Sequence, residues 1–189
     1  GVDAIPARVP LTQGKPCVIP LLFTGTQWQT VNLGIDGHWG IFGTTGSGKG
    51  NALQIVALAT LQLGPGVAQL IVIDAKGGLD YGFCKRLQHA TLFAGVSVVA
   101  GCDTILSEMY RRLELLEGMG ARNLQEYNKR ASTPLPLWVV IADEIEDFTK
   151  EDRAKIETFA RMSRAVGGVL FVATQYTTVD VLSNQIQSN

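Results

Sequence analysis

A glycine-rich run that ends in a lysine is the first group of residues able to do chemistry. The run is Gly43-Thr44-Thr45-Gly46-Ser47-Gly48-Lys49. Glycine allows backbone conformations that a β-carbon forbids, so successive N–H groups can point inward at a phosphate. The lysine adds a point charge, and a helix that follows would add its positive N-terminal end. The run therefore predicts a site for the phosphates of a nucleoside triphosphate.

The residue after the lysine departs from the usual pattern. In the motif G-x-x-x-x-G-K-[ST] the last position supplies a hydroxyl to Mg²⁺, whereas this chain has Gly50. Asn51 follows and could help to compensate. ATP and Mg²⁺ are the expected ligands, and magnesium binding is the weak point. The predicted nucleotide-binding residues are Gly43, Thr44, Thr45, Gly46, Ser47, Gly48, Lys49, Gly50 and Asn51.

Two further groups of polar residues follow apolar runs that are typical of buried strands. Asp143 and Glu144 come after residues 137–142, and Gln175 comes after residues 168–174. Asp143 is expected to hold Mg²⁺, and Glu144 to polarise the attacking water. Gln175 is expected to sense the terminal phosphate through its neutral amide. Taken alone, the two acids would also fit a helix cap with a surface acid, and Gln175 a solvated strand end.

Other polar residues give weaker signals. Asp74-Ala75-Lys76-Gly77-Gly78 ends another apolar run, and it fits either a wall of the same cleft or a turn. His38 and His89 lack metal-ligand spacing, and no catalytic role is assigned to them. A group of basic residues alternates with glutamates, which favours a solvated helical face. These basic residues are Arg111, Arg112, Arg122, Lys129 and Arg130.

The elements that must position these groups alternate between strand and helix. Residues 17–23 and 28–33 predict a β-hairpin, and a strand leads into the glycine-rich run. Helices are predicted at residues 51–63, from the capping residue Asp103 to about residue 118, and at 123–131 and 151–166. Buried strands are predicted at 69–74, 95–100, 137–142 and 168–174. This order predicts an α/β fold with a mostly parallel sheet covered by helices on both faces.

Composition narrows the class of protein. The 189 residues are 46% hydrophobic and 17% charged, with a net charge of −1, so any contact with nucleic acid must come from a local patch or a ring of subunits. Three scattered cysteines favour a reducing compartment and a cytoplasmic location. No apolar run approaches the roughly 20 residues that span a bilayer, so no membrane contact is expected from this chain. We expect an excised domain, whose parent protein could carry a membrane anchor upstream.

Several blocks of residues occur in a specific order along the chain. The two most specific blocks are Met119-Gly120-Ala121-Arg122-Asn123-Leu124 and Ala173-Thr174-Gln175. The other blocks are Gly43 to Lys49, Ile73-Asp74-Ala75-Lys76, Glu108-Met109-Tyr110-Arg111-Arg112, Tyr127-Asn128, Asp143-Glu144 and Val179-Asp180-Val181. Together these blocks closely resemble the motor domain of FtsK/SpoIIIE-type DNA translocases over nearly the whole length of the chain.

The resemblance implies a RecA-like P-loop NTPase core that assembles as a hexameric ring, hydrolyses ATP at subunit interfaces and moves double-stranded DNA. Lys49, Asp143, Glu144 and Gln175 would be the phosphate lysine, the magnesium acid, the catalytic glutamate and the sensor. Residues 1–36 would form an N-terminal hairpin extension, and residues 37–189 a core truncated at its C-terminal end.

The chain differs from the family pattern at three places, and these keep alternatives open. Gly50 replaces Ser or Thr, Tyr176-Thr177 replaces the usual Arg-Pro, and the arginine that reaches a neighbouring subunit is expected beyond residue 189. One alternative is a nucleotide-binding subunit that is defective in hydrolysis and has a structural or regulatory role in a ring. A small-molecule P-loop kinase is less favoured, because the chain lacks an arginine-rich lid.

Overall fold

Seven β-strands and four α-helices form the part of the chain that the computed structural model describes, residues 17–23, 26–44 and 46–175. The strands are β1 (Val18–Phe23), β2 (Trp28–Asn32), β3 (Trp39–Phe42), β4 (Ala68–Asp74), β5 (Ala90–Ala94), β6 (Leu137–Asp143) and β7 (Gly168–Thr174). The helices are α1 (Lys49–Gln62), α2 (Val98–Gly118), α3 (Leu124–Arg130) and α4 (Lys150–Met162). The 3-10 segment Leu79–Arg86 connects β4 to β5.

The central sheet has five parallel strands in the order β3-β7-β6-β4-β5. β1 and β2 form a separate antiparallel pair, which confirms the predicted strands of the hairpin, although Thr24 and Gly25 of its turn lie outside the described residues. Because parallel strands end at one edge, the residues after β3, β7, β6 and β4 all come to the same edge of the sheet. The predicted α/β fold with a parallel sheet is confirmed. The division at residue 36 stays a prediction.

The two faces of the sheet are covered by different elements. On one face, α1 and the hairpin share a core with alternate strand residues such as Val139 and Phe171. On the other face, α2, α3 and α4 pack against the intervening residues, including Val140 and Leu170. Since both faces are buried, the central strands read as continuous apolar runs, which is why β4, β6 and β7 could be predicted closely.

The prediction was wrong for residues 95–100, which are not a strand. β5 is Ala90–Ala94, and Val98 is the first residue of α2. Ser97 marks the change of direction, because its Oγ accepts the Ala94 N–H at 2.6 Å and donates to the Ala94 carbonyl at 2.9 Å. Asp103 consequently lies inside α2 rather than at its start, and it pairs with Lys155 of α4 at 2.7 Å.

The predicted solvated basic face was wrong for Arg112. Its side chain is only 1% exposed and lies between α2 and the start of β6. The guanidinium donates to Glu108 at 2.8 Å, to the Pro136 carbonyl at 2.8 Å and to the Val166 carbonyl at 3.2 Å. It also lies 5.3 Å from the ring centroid of Trp138. Arg112 therefore links α2 to two strand connections in the core.

Candidate functional site

The glycine-rich loop runs from the end of β3 into the first turn of α1. Gly46 and Gly48 have φ values of 81° and 94°, a region that favours glycine. A β-carbon at Gly43 would collide with the Ser47 side chain, so the loop can close tightly only with glycine there. The Ser47 N–H donates to the Thr44 carbonyl at 3.1 Å. Thr45 lies outside the described residues.

Lys49 is the first residue of α1, and its ammonium donates to the carbonyl of Gly43. The lysine side chain therefore folds back over its own loop, which places its ammonium beside the loop backbone. Gly50 and the exposed Asn51 follow on the same helix. A β-carbon at Gly50 would have no neighbour within 4 Å among the described atoms, so this position can accept a larger residue.

The two acids that follow the apolar run of β6 lie at the same sheet edge as this loop. Phe42, the last residue of β3, is in register with Thr174 of β7, and Ala142 of β6 is in register with Val172. β7 thus separates the loop from Asp143 by one strand. The parallel sheet therefore brings the loop and the two acids to one edge.

Asp143 is a part-buried carboxylate beside a second acid. It is in register with Asp74 of β4, and its Oδ2 accepts a 2.8 Å hydrogen bond from the Tyr81 hydroxyl. Burial, aided by the charges of Asp74 and Glu144, raises the pKa of Asp143 to about 6, although the Tyr81 bond acts in the opposite direction. Burial and the charge of Asp143 also hold the pKa of Tyr81 far above its ordinary value. A divalent cation here would relieve the repulsion between the carboxylates.

Glu144 has an unusual backbone for its residue type. Its φ of 54° and ψ of 52° make it the one non-glycine residue with positive φ in the described ranges. One carboxylate oxygen pairs with the ammonium of Lys76, and the other is buried with no hydrogen-bond partner among the described atoms. Left-handed backbone costs an L-residue about 1–2 kcal/mol and concentrates at functional sites.

Gln175 directly follows β7, and its backbone N–H donates to Glu146 Oε1 at 3.1 Å. This bond joins the end of β7 to the segment after β6. Tyr176-Thr177 and the Val179-Asp180-Val181 block lie outside the described residues. Sequence reasoning missed Tyr81 and Glu146 as neighbours of the site, because neither belongs to a motif and only the fold brings them to this edge.

The donor set fits a triphosphate with Mg²⁺. The loop supplies backbone N–H groups and one ammonium for phosphate oxygens, and Asp143 supplies the hard oxygen ligand that Mg²⁺ prefers. Across the described residues, no cluster of three or more histidine, cysteine or acidic side chains could hold a metal by itself. Mg²⁺ commonly binds through one or two carboxylates together with substrate phosphates, which suits this arrangement.

Comparison with known proteins identifies the family of this chain. The model of the FtsK/SpoIIIE family matches residues 19–175, which is most of the chain. This chain belongs to the FtsK/SpoIIIE family. The match extends over the phosphate loop and both sets of strand-end residues, so the site described above lies within the FtsK/SpoIIIE region.

Named relatives agree with the FtsK/SpoIIIE assignment. DNA translocase FtsK of Treponema pallidum (strain Nichols) is 33% identical over an alignment that covers 85% of this chain and 22% of that protein. DNA translocase FtsK of Chlamydia trachomatis serovar D is 30% identical over an alignment that covers 96% of this chain and 24% of that protein. The chain thus spans about a quarter or less of the length of these relatives.

Solved structures of related shape include two ATPase-type proteins. The pCW3 conjugation coupling protein TcpA, solved as a monomer with ATPγS, is 27% identical with a TM-score of 0.76, over 100% of this chain and 58% of TcpA. The cytoplasmic domain of the Thermomonospora curvata type VII secretion ATPase EccC is 23% identical with a TM-score of 0.75, over 89% of this chain and 22% of EccC. The latter supports the fold alone. These neighbours confirm the predicted P-loop NTPase architecture of the FtsK/SpoIIIE chain.

Within the ranges given for the fold, no helix of this FtsK/SpoIIIE chain combines the length and hydrophobicity required to cross a lipid bilayer.

Proposed function

We propose that this chain is the ATP-hydrolysing core of a double-stranded DNA translocase. The observation that carries the proposal is the shared sheet edge, where the loop after β3 and the acids after β6 lie one strand apart. Family membership and relatives named DNA translocases support the DNA substrate. The neighbour solved with ATPγS supports the nucleotide.

The proposed roles follow from charge and position. Lys49 and the loop N–H groups bind the β- and γ-phosphates, and Asp143 holds Mg²⁺, which supplies charge neutralisation at those phosphates. Glu144 orients a water for in-line attack on the γ-phosphorus. The new P–O bond forms as the bond to the bridging oxygen breaks, which leaves ADP and phosphate. Gln175 at the end of β7 contacts the γ-phosphate or that water.

Hydrolysis by the purified chain, with and without duplex DNA, tests the proposal. We expect ATP turnover that rises when duplex DNA is added. Glu144→Gln should abolish turnover but leave binding of an ATP analogue measurable by calorimetry, because the amide keeps the size of the side chain and loses its charge. No turnover under either condition would refute the proposed activity.

A salt series separates a DNA motor from an enzyme that acts on a small molecule. A protein that tracks DNA phosphates should lose about 0.9 log units of affinity per contacted phosphate for each tenfold rise in salt. DNA binding that does not change with salt would contradict a phosphate-tracking motor. Particle mass in the presence of an ATP analogue and duplex DNA tests the proposed homo-oligomeric ring, for which six copies are expected.

A second candidate is a nucleotide-binding subunit with little hydrolysis, and Gly50 is the observation that favours it. The absence of a hydroxyl removes one inner ligand of Mg²⁺, although water can take its place. The two candidates differ in whether turnover exists in the wild-type chain and whether a restored hydroxyl increases it.

A further inference from the structure

Lys76 forms an ion pair with the proposed catalytic residue. The lysine lies two residues after the end of β4, and its ammonium donates to Glu144 Oε1. The side chain of Lys76 is 58% exposed and that of Glu144 is 19% exposed, so the pair lies at the mouth of the site rather than in the core. The hydrogen bond to Glu144 raises the pKa of Lys76 above its ordinary value. The lysine is therefore held in its charged form.

Backbone contacts fix both ends of this pair. Asp74 accepts the N–H of Lys76 at 2.8 Å and the N–H of Gly78 at 2.7 Å, so the segment after β4 is tied to the strand end. Glu144 is fixed by its left-handed backbone conformation. The contact therefore joins two anchored segments rather than two mobile side chains on a flexible surface.

The strand order shows which way the pair directs Glu144. In the order β3-β7-β6-β4-β5, the phosphate loop after β3 lies on one side of β6 and Lys76 after β4 lies on the other. The ion pair thus ties the carboxylate to the segment after β4, which lies on the other side of β6 from the phosphate loop. A glutamate that orients water at a γ-phosphate must turn toward that loop, and the bond to Lys76 opposes this movement.

We propose that Lys76 is a positioning residue that restrains Glu144 in the nucleotide-free protein, and that the Lys76–Glu144 ion pair opens before ATP is hydrolysed. This regulation rests on the proposed function, since it takes Glu144 as the residue that orients water. The pair then acts as a brake on basal turnover.

The first test compares turnover in matched lysine variants. Lys76→Met should raise basal kcat about two- to fivefold, the range expected for loss of a partly exposed ion pair, and leave KM for ATP unchanged. Lys76→Arg should keep the wild-type rate, because it can still pair with Glu144. Lys85→Met, an exposed change of the same type on the 3-10 segment Leu79–Arg86, is the control and should have no effect. A Lys76→Met rate at or below wild type overturns the brake.

The second test needs neither nucleotide nor turnover. Reaction of Lys76 with an amine-directed acylating reagent is followed by peptide mass spectrometry in the wild type and in Glu144→Gln. Loss of the carboxylate should make Lys76 react faster, and Lys85 of the same samples should react at one rate in both. Equal Lys76 rates would show that the pair is absent in solution and overturn the proposal.

The two proposals fail in different ways. A wild-type chain inactive with duplex DNA refutes the proposed ATPase, whatever the labelling shows. An active wild type with no increase in Lys76→Met refutes only the brake.

Discussion

Gly50 is the residue at which the proposed magnesium site departs from the usual motif. It occupies the second position of α1, directly after Lys49, where the usual motif has a hydroxyl. The surrounding space is open, so nothing in the packing requires glycine. A substitution at Gly50 should therefore act through the chemistry of the added side chain rather than through steric clashes.

We expect Gly50→Ser to lower the Mg²⁺ concentration for half-maximal ATP hydrolysis, on the order of tenfold, the low end of the effect of a metal-site partner. Gly50→Ala is the matched control, because it adds the same β-carbon without a hydroxyl. Magnesium titrations of the wild type, Gly50→Ser and Gly50→Ala decide between an active ATPase and a subunit with little hydrolysis. Equal curves for Ser and Ala would show that the chain already compensates for the missing hydroxyl.

Asp143 should reduce the stability of the nucleotide-free protein. Its folded pKa of about 6 lies above its ordinary value of 3.8, so the folded state binds the proton more tightly. Stability from this group is greatest below pH 3.8, falls as pH rises through the window from 3.8 to 6, and is constant above it. A buried carboxylate beside Asp74 is the physical cause.

Asp143→Asn should consequently raise the free energy of unfolding at pH 7.5 by roughly 1 kcal/mol, after allowance for its partial exposure. The gain should shrink as pH falls toward 4, because wild-type Asp143 is then protonated. Denaturant unfolding at several pH values measures it, and Asp80→Asn, an exposed acid nearby, is the control. A gain that does not vary with pH would contradict the assigned cause.

At the level of elements, the sequence was informative where burial is complete and less so at the edge of the sheet. β4, β6 and β7 are covered on both faces and gave continuous apolar runs. β5 is an edge strand with partly exposed residues, so its pattern was weak. Residues 95–100 were predicted as a strand, but a short apolar run does not distinguish a strand from the start of a helix.

The residues of the candidate site also differ in how well the sequence predicts them. Lys49, Asp143 and Glu144 could be found because each follows a strand within a recognisable spacing. Tyr81 and the ion pair of Lys76 could not be predicted, since both depend on how the connection after β4 folds back to the end of β6. Contacts between segments about 60 residues apart leave no local periodicity. Arg112 was misjudged for a related reason, because its carbonyl partners lie on other elements.

Replacing the buried Arg112 of α2 should lower the free energy of unfolding more than replacing an exposed arginine of the same helix. Arg112→Met leaves the carbonyls of Pro136 and Val166 without their donor, so we expect a loss of about 2–4 kcal/mol in the free energy of unfolding. Arg111→Met is the matched control, because Arg111 also pairs with Glu108 but is 51% exposed, and it should cost less than about 1 kcal/mol. Chemical denaturation of both variants measures the difference. Similar losses would show that the buried contacts contribute little.

At the scale of the whole molecule, one core links the phosphate site to the N-terminal hairpin. Buried residues of α1, including Leu53 and Val56, pack with Ile19 and Val31 of the hairpin. Since α1 begins at Lys49, the hairpin supports the helix that presents its N-terminus to the phosphates. The opposite face, with α2, α3 and α4, carries Arg112, and its described apolar cluster contains no residue of α1. Variants on that face should therefore affect stability before they affect nucleotide binding.

The left-handed backbone at Glu144 also has a consequence for protein engineering. A library selected for heat resistance alone should drift toward glycine or asparagine at this position, because those residues accept the conformation at less cost. On the role proposed for Glu144, the most heat-resistant clones would then have lost ATP hydrolysis. Engineering of this protein for thermal stability should therefore assay each clone for ATP hydrolysis as well as for resistance to heat.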